Sequence, residues 1–432
     1  MGGQRWFAGK GHDIESLSIV SDVELQTEPG LRHLIAAVRQ GVHEARYQLL
    51  LGLRAEIPDR LKHAVIGPVD SMIGYDAVHD ADLTAHLLES MAAGATVGSL
   101  DFRHVEGAEI DPTPRSLVLG AEQSNTSLVY GEEYICKLFR RLVPGVNPEL
   151  EIVTALAKAG STHVAEPYGW IETRLDGHPT TLGILQRFLP TSSDGWSLAL
   201  TSVRDLYASE EELSASDAGG DFSAESERLG RATGEMHTEL ATAFPTETVD
   251  RTEVKRMAEA MLHRLDRAVE AVPALAPLAP LPAEAFAELA RLNQPVAVQR
   301  VHGDYHLGQV LRTLTEWIIL DFEGEPGQPL WERRALASPL RDVAGMLRSF
   351  DYAARHLLSG FAEYGGLHGR AEEWATLNRE AFLDGYATVH RDAREDLILL
   401  RALEFDKAVY EVVYEARHRP SWVSIPLAAF RT

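Results

Sequence analysis

The residues with the clearest chemistry follow one another within a short stretch: His302, Gly303 and Asp304, then Gln309, then Asp321. Moving a phosphoryl group onto a hydroxyl needs a carboxylate that orients the hydroxyl and accepts its proton. It also needs hard oxygen ligands for a Mg²⁺ ion that neutralises the phosphates. Asp304 is the candidate base, and Gln309 and Asp321 are the candidate Mg²⁺ ligands. Residues 310–313 and 317–320 read as two short strands around the connector 314–316, and such a pair folds Gln309 back toward Asp321. A plain turn at Asp304, or a strand cap at Asp321, would explain either piece alone. Neither explains both pieces in this order.

His302 and His306 have a zinc-like spacing, but Gly303 and Gly308 make the segment a loop and no third ligand stands out, so zinc is rejected. His302 is expected to hold the loop by hydrogen bonding, and His306 to line the acceptor pocket or pack. Glu323 is a second carboxylate for the same metal, or a solvated turn residue. No Walker A loop is present, because Lys10 is followed by Gly11 and not by Ser or Thr. Phosphate binding then falls to Lys137, whose ammonium sits among the strand residues Tyr134, Ile135, Leu138 and Phe139 and needs an anionic partner. Glu149 and Glu151 are candidates to orient it, and Glu151 is taken as the site residue. The loop 120–127 is small and polar and suits a phosphate cover. The stretch 185–190 leaves the sheet, and its backbone at Gln186 and Phe188 is the candidate contact to adenine. ATP and Mg²⁺ are therefore the expected cofactors.

These residues need elements to carry them. Residues 32–39 and 43–51 alternate like strands, and 80–93 reads as a helix, so residues 1–110 form a cap subdomain. Residues 115–119, 126–130 and 133–139 read as strands, the last two joined at Gly131-Glu132. Asn147 is a good N-cap for a helix with Pro148 first. Strands at 164–171 and 181–189 complete a β-rich ATP-binding subdomain over 111–190. Helical periodicity dominates 191–432, at 229–240, 254–269, 283–292 and beyond 341. The acidic run 210–227 and the proline-bearing run 272–282 read as loops, since Pro273, Pro277, Pro280 and Pro282 oppose a regular helix. The expected class is α+β, with small antiparallel sheets first and a mostly helical lobe after.

Composition narrows the rest. A chain of 432 residues, 45% apolar and 24% charged, can build large cores and is not a disordered type. No apolar run approaches a bilayer span, and the first residues lack the pattern of a secretory signal, so a cytoplasmic location is expected. The single cysteine, Cys136, reads as a buried strand residue. A formal net charge of −23 repels nucleic acid and anionic membrane, so neither is an expected partner.

Beyond these local readings the chain resembles the bacterial maltokinases, relatives of aminoglycoside phosphotransferases and choline kinases. The likeness rests on Arg5 to Gly11 (RWFAGKG), 302–309 (HGDYHLGQ), 321–326 (DFEGEP), 338–352 (SPLRDVAGMLRSFDY) and 406–417 (DKAVYEVVYEAR) with Arg419-Pro420. It implies a bilobal protein-kinase-like fold and transfer of phosphate from ATP to the anomeric hydroxyl of maltose, feeding α-glucan synthesis. It implies Asp304 as base, Gln309 and Asp321 as Mg²⁺ ligands, Lys137 as phosphate contact and Asp342 as a buried brace for the catalytic loop. Sugar binding calls for polar groups beside aromatic faces, and His306, Glu411, Tyr414 and Trp422 are the candidates, with Tyr410 and Glu415 nearby. Glu411 and Glu415 share a helical face, which a solvated row would also explain. Glucosamine or an aminoglycoside is the alternative acceptor. A non-catalytic pseudokinase is disfavoured because Asp304, Gln309, Asp321 and Lys137 are all present. The N-terminal cap is a candidate docking surface for trehalose synthase if Trp6 and Phe7 are exposed.

Overall fold

The structure is a computed structural model that describes residues 4–120, 124–209, 214–215, 222–325, 327–360 and 365–431. Three earlier expectations fall partly outside them: the tip of the phosphate-covering loop at 121–123, residues 210–213 and 216–221 of the acidic run 210–227, and Pro326; from Ser223 that run is helical and not the loop expected. The chain forms two compact units, Met1–Ala157 with Ala165–Pro190, and Lys158–Val164 with Thr191–Thr432.

The first unit opens with long antiparallel strands β1 (Ser16–Gln26), β2 (Gly30–Gln40) and β3 (His43–Arg54), then β4 (Val65–Val69), β5 (Met72–Asp76) and helix α1 (Ala81–Ala93). Asp80 starts α1, its side chain accepting from the Asp82 amide. There follow β6 (Thr96–Val97), β7 (Leu100–His104), β8 (Ser116–Val118), β9 (Thr126–Tyr130), β10 (Tyr134–Leu138), β11 (Arg141–Leu142), α2 (Pro148–Lys158), β12 (Pro167–Leu175) and β13 (His178–Arg187). The first sheet runs β1-β2-β3-β5-β4 with β11 added on β3, and the second runs β6-β7-β12-β13-β10-β9-β8. Because β6 and β7 join the second sheet and β11 joins the first, the chain does not divide at residue 110 as expected. One apolar core, including Leu31, Leu87, Phe102, Leu128, Leu182 and Ile184, serves both sheets.

The last two strands of this unit differ from their expected spans for a local reason. Asp176 and Gly177 both take positive φ, 52° and 81°, which makes the two-residue primed turn that matches strand twist. That turn fixes β12 and β13 around it. Cys136 is fully buried in β10, and burial pushes its thiol up to about 12. Trp6 and Phe7 are buried too, packed with Val38 and Tyr47 and with the Arg140 guanidinium 5.1 Å from the Trp6 ring. The condition that would have made them a docking patch is not met.

The second unit contains β14 (Ser193–Asp194), α3 (Gly195–Ala208), α4 (Ser223–Ala243), β15 (Glu247–Val249), α5 (Arg251–Ala271), α6 (Pro280–Leu289), β16 (Val296–Val298), β17 (Val310–Arg312), β18 (Trp317–Ile319), α7 (Leu330–Arg333), α8 (Leu340–His356), α9 (Gly365–Ala387), α10 (Leu397–His418) and α11 (Ser424–Ala428). The proline-bearing run is more ordered than expected. A 3₁₀ turn spans Pro273–Leu278, and α6 begins at Pro280, because prolines in a first turn forfeit no helical hydrogen bond. Helices α4 and α9 pack closely: a Cβ on Gly230 would land on the Phe382 carbonyl, and one on Gly385 on the Glu227 carbonyl. Among the described residues no helix is long and apolar enough to cross a membrane.

Candidate active site

The segment carrying Asp304 leaves β16 and lies on α8. Contact is close because Gly345 of α8 has no side chain, and a Cβ there would meet the Tyr305 carbonyl oxygen at 2.5 Å. The loop turns at Gly303, whose φ of 88° suits glycine. Asp342, buried in the first turn of α8, accepts from the amides of His302 (2.7 Å) and Gly303 (2.9 Å), and its Oδ2 also lies 3.1 Å from His237 Nε2. Burial alone favours the neutral carboxyl. The His237 contact, His302 and the Gly303 amide outweigh it and hold Asp342 below the usual carboxylate range. This is the brace implied by the resemblance. His302 takes the holding role expected of it: Nε2 lies 2.7 Å from the Leu320 carbonyl and Nδ1 accepts from the Asp304 amide at 3.3 Å. Both ring nitrogens are engaged in holding the loop.

The predicted strand pair forms. β17 and β18 are antiparallel with Val310 opposite Ile319, and the Leu320 amide donates to the Gln309 carbonyl at 2.9 Å. As a result Gln309 Nε2 donates to Asp321 Oδ2 at 3.1 Å. Asp321 itself adopts φ 61°, a strained backbone for a residue with a side chain, and such strain gathers at functional positions. Here the Gln309 amide nitrogen faces the carboxylate, and Gln309 and Asp321 each carry a hard oxygen of the kind that Mg²⁺ takes. The donor set fits that ion. Glu323, the further carboxylate, lies 3.9 Å from Arg333, so it is not the freely solvated turn residue of the alternative reading.

Asp304 is half-buried, and its Oδ1 accepts from Lys407 Nζ at 3.1 Å. Burial favours protonation, but Lys407, His306 and His302 outweigh it and keep the carboxyl below its ordinary range. Lys407 lies on α10 and was not singled out in the sequence. His306 Nδ1 accepts from the Gly308 amide at 3.0 Å, and burial lowers its pKa.

Of the other substrate candidates, Glu411 is half-buried, and its Oε2 accepts from Arg348 Nε (3.1 Å) and Nη2 (2.8 Å). Burial raises its carboxyl above the ordinary range despite Arg348 and Lys407. Glu415 is fully buried, with Oε1 on Arg419 at 2.8 Å. The two therefore do not form a solvated row. Tyr414 stacks on His418 with centroids 4.3 Å apart. Trp422 packs on His356 at 4.6 Å and under the Arg419 guanidinium at 4.2 Å, a cluster of its own.

In the first unit Lys137 is half-buried in β10, and its Nζ lies 2.7 Å from Glu149 Oε2. Of the two candidates named from sequence, Glu149 is thus in contact with Lys137. Asn147 explains why: its side chain accepts from the Glu149 amide at 2.8 Å, so Glu149 is fixed in the first turn of α2. Gln186 lies between β10 and β12, paired with Ile135 and Pro167, and its Nε2 points at the Ala165 carbonyl at 3.5 Å. The Phe188 amide donates to the Glu133 carbonyl at 2.8 Å. The Phe188 N–H is therefore already used within this unit.

Residues 115–377 match a family model described as "Phosphotransferase enzyme family". The chain belongs to this phosphotransferase family. Residues 1–80 match the "Maltokinase N-terminal cap domain". Two similar proteins are named glucosamine kinase. The one from Streptacidiphilus jiangxiensis is 32% identical over 71% of this chain and 70% of that one. The one from Mycolicibacterium smegmatis (strain ATCC 700084 / mc(2)155) is 27% identical over 71% of this chain and 77% of that one. A solved glucosamine kinase in complex with glucosamine, ADP and inorganic phosphate covers 98% of this chain and 95% of its own, with TM-score 0.72 and 25% identity. A second crystal form gives TM-score 0.73, 26% identity and coverage of 99% and 96%. The chain is thus a phosphotransferase with the α+β, kinase-like fold expected from its sequence.

Proposed function

We propose that this phosphotransferase moves the γ-phosphoryl group of ATP, with Mg²⁺, onto the anomeric hydroxyl of maltose, giving maltose 1-phosphate and ADP for α-glucan synthesis in the cytoplasm. The observation that carries a kinase reading is a carboxylate, Asp304, held below its ordinary range on a braced loop that leads into the hairpin joining Gln309 and Asp321. Asp304 orients the acceptor hydroxyl and takes its proton late in transfer. Asp342 fixes the loop that carries it. Gln309 and Asp321 would hold Mg²⁺, which neutralises charge on the transferring phosphates. Lys137, held by Glu149, is the proposed phosphate contact, and the Phe188 carbonyl remains an acceptor for the adenine amine.

Maltose is favoured by the cap match over residues 1–80 together with the runs 5–11 and 406–417. Glucosamine is the second reading. It is favoured by the names of two relatives and by the solved complex that contains that sugar. Its ammonium would suit the carboxylates Glu411 and Glu415. An association with trehalose synthase, if one forms, does not use Trp6 and Phe7, which are buried.

The test is turnover of ATP and Mg²⁺ with maltose, glucosamine, glucose and an aminoglycoside side by side, with the phosphorylated position identified by NMR. Maltose 1-phosphate supports the first reading, and a glucosamine phosphate replaces it with the second. No phosphorylated product from any of the four would overturn both.

A further inference from the structure

Lys407 is the charged group nearest the proposed base that the reaction scheme leaves without a role. Its Nζ is 3.1 Å from Asp304 Oδ1 and 3.8 Å from Glu325 Oε1, so it spans the loop carrying the base and the loop carrying Asp321. Helix α10 is locked in rotation on either side of it. Asp406 receives two bonds from Arg264 of α5 at 2.8 and 2.7 Å, and Glu411 receives two from Arg348 of α8. Positions one before and four after Lys407 are thereby fixed, and Lys407 is left with one direction to point. The Tyr410 ring, 5.2 Å from the ammonium, closes one side. These contacts resemble a support for a functional group more than a surface ion pair, since a half-buried lysine could otherwise swing to water.

We propose that Lys407 is a positioning residue that fixes the Asp304 carboxylate in its ionised form and in one orientation for the acceptor hydroxyl. The inference rests on Asp304 being the base of a hydroxyl kinase. A paired carboxylate is a weak base, which suits a transfer in which bond breaking to the leaving phosphate runs ahead of proton loss. Its value then lies in aim and charge. The groups facing Asp304 are His302 and His306 on its own loop and Lys407 and Tyr410 on α10, while Glu411 of α10 and Glu325 on the loop after Asp321 face Lys407. Of these only Lys407 is both cationic near neutral pH and hydrogen-bonded to the carboxylate. Removing its charge takes away the largest electrostatic support of the Asp304 carboxylate and leaves burial to push it toward protonation.

The experiment compares wild type, Lys407→Met, Lys407→Gln and Lys407→Arg on the full chain, using whichever sugar the wild type phosphorylates. For Met and Gln the expected result is a kcat loss of about tenfold or more, and an acid limb of the kcat profile moved up by about one pH unit. KM for ATP stays within about twofold, and Arg restores most of kcat and the original limb. A loss of activity with an unmoved acid limb would mean a structural role only and would overturn the proposal. A second readout needs no acceptor: the ¹³C carboxyl signal of Asp304, assigned with Asp304→Asn, should titrate at higher pH in Lys407→Gln than in wild type. Identical titration overturns the proposal even if no sugar is turned over, whereas a shifted titration without sugar turnover sinks only the kinase reading.

Discussion

A carboxylate that orients a hydroxyl and accepts its proton has no substitute in an isosteric amide. Asp304→Asn should therefore lower turnover by about 10²- to 10⁴-fold. Nucleotide affinity should stay within about twofold, because Gln309, Asp321 and Lys137 are untouched. Calorimetric titration with Mg²⁺ and a non-hydrolysable ATP analogue, beside a rate assay, measures both quantities. Substantial turnover by the folded variant would remove Asp304 from its role. At this scale the sequence showed what was local. Asp304, Gln309 and Asp321 lie within one short stretch, and a turn between two strands suffices to gather the last two. Lys407 could not be read, because its partner is 103 residues away and its direction depends on the pairings of Asp406 and Glu411 with other helices. The choice between Glu149 and Glu151 turned on the Asn147 cap bond, a detail of one helical turn.

Among the elements, the strands of the first unit carry a titratable group in their core. His33 on β2 is 3% exposed, and its Nε2 lies 3.0 Å from Gln48 Oε1 on β3. The Gln48 amide nitrogen is spent on the carbonyls of Phe139 (2.8 Å) and Leu182, so Gln48 Oε1 must be the acceptor and His33 Nε2 the donor. The ring is neutral in the fold, and burial lowers its pKa to about 4. Because the folded pKa lies below the unfolded value of about 6.5, the unfolded chain binds the extra proton between them. Stability contributed by the neutral ring is present above pH ~6.5 and is lost progressively as pH falls toward 4, on the order of 2–3 kcal/mol. His33→Leu should flatten the pH dependence of thermal unfolding over that window. An unchanged slope would mean that His33 does not set it. Alternation of apolar residues made β2 and β3 legible, but not the hydrogen bond that joins the Gln48 side chain to backbone from two other segments. Pro280 misled for the opposite reason: a proline that breaks a helix interior also starts one.

The whole molecule carries a formal charge of −23, and this bears on which ligands it meets. The two-unit division was partly visible, since the change to helical periodicity after Pro190 coincides with the start of the second unit. The exchange of strands across residue 110 was not visible, because pairing partners in a sheet are set by the fold and not by position along the chain. The charge, in contrast, is exact from sequence and gives a test independent of any single residue. Mg-ATP carries a net charge of about −2, and at ~10 mM ionic strength the Debye length of ~30 Å leaves the long-range repulsion largely unscreened. Raising ionic strength to ~150 mM shortens it to ~8 Å, so kcat/KM for ATP should rise about two- to fourfold while kcat stays level. A fall would mean that cations around the nucleotide, Lys137 among them, dominate the approach. The acceptor responds by its own charge. For maltose, which is neutral, kcat/KM should be independent of salt. For glucosamine, attracted as a cation by the same field, it should fall as salt is added. The sign of that one slope therefore reports the charge of the molecule that the acceptor side draws in.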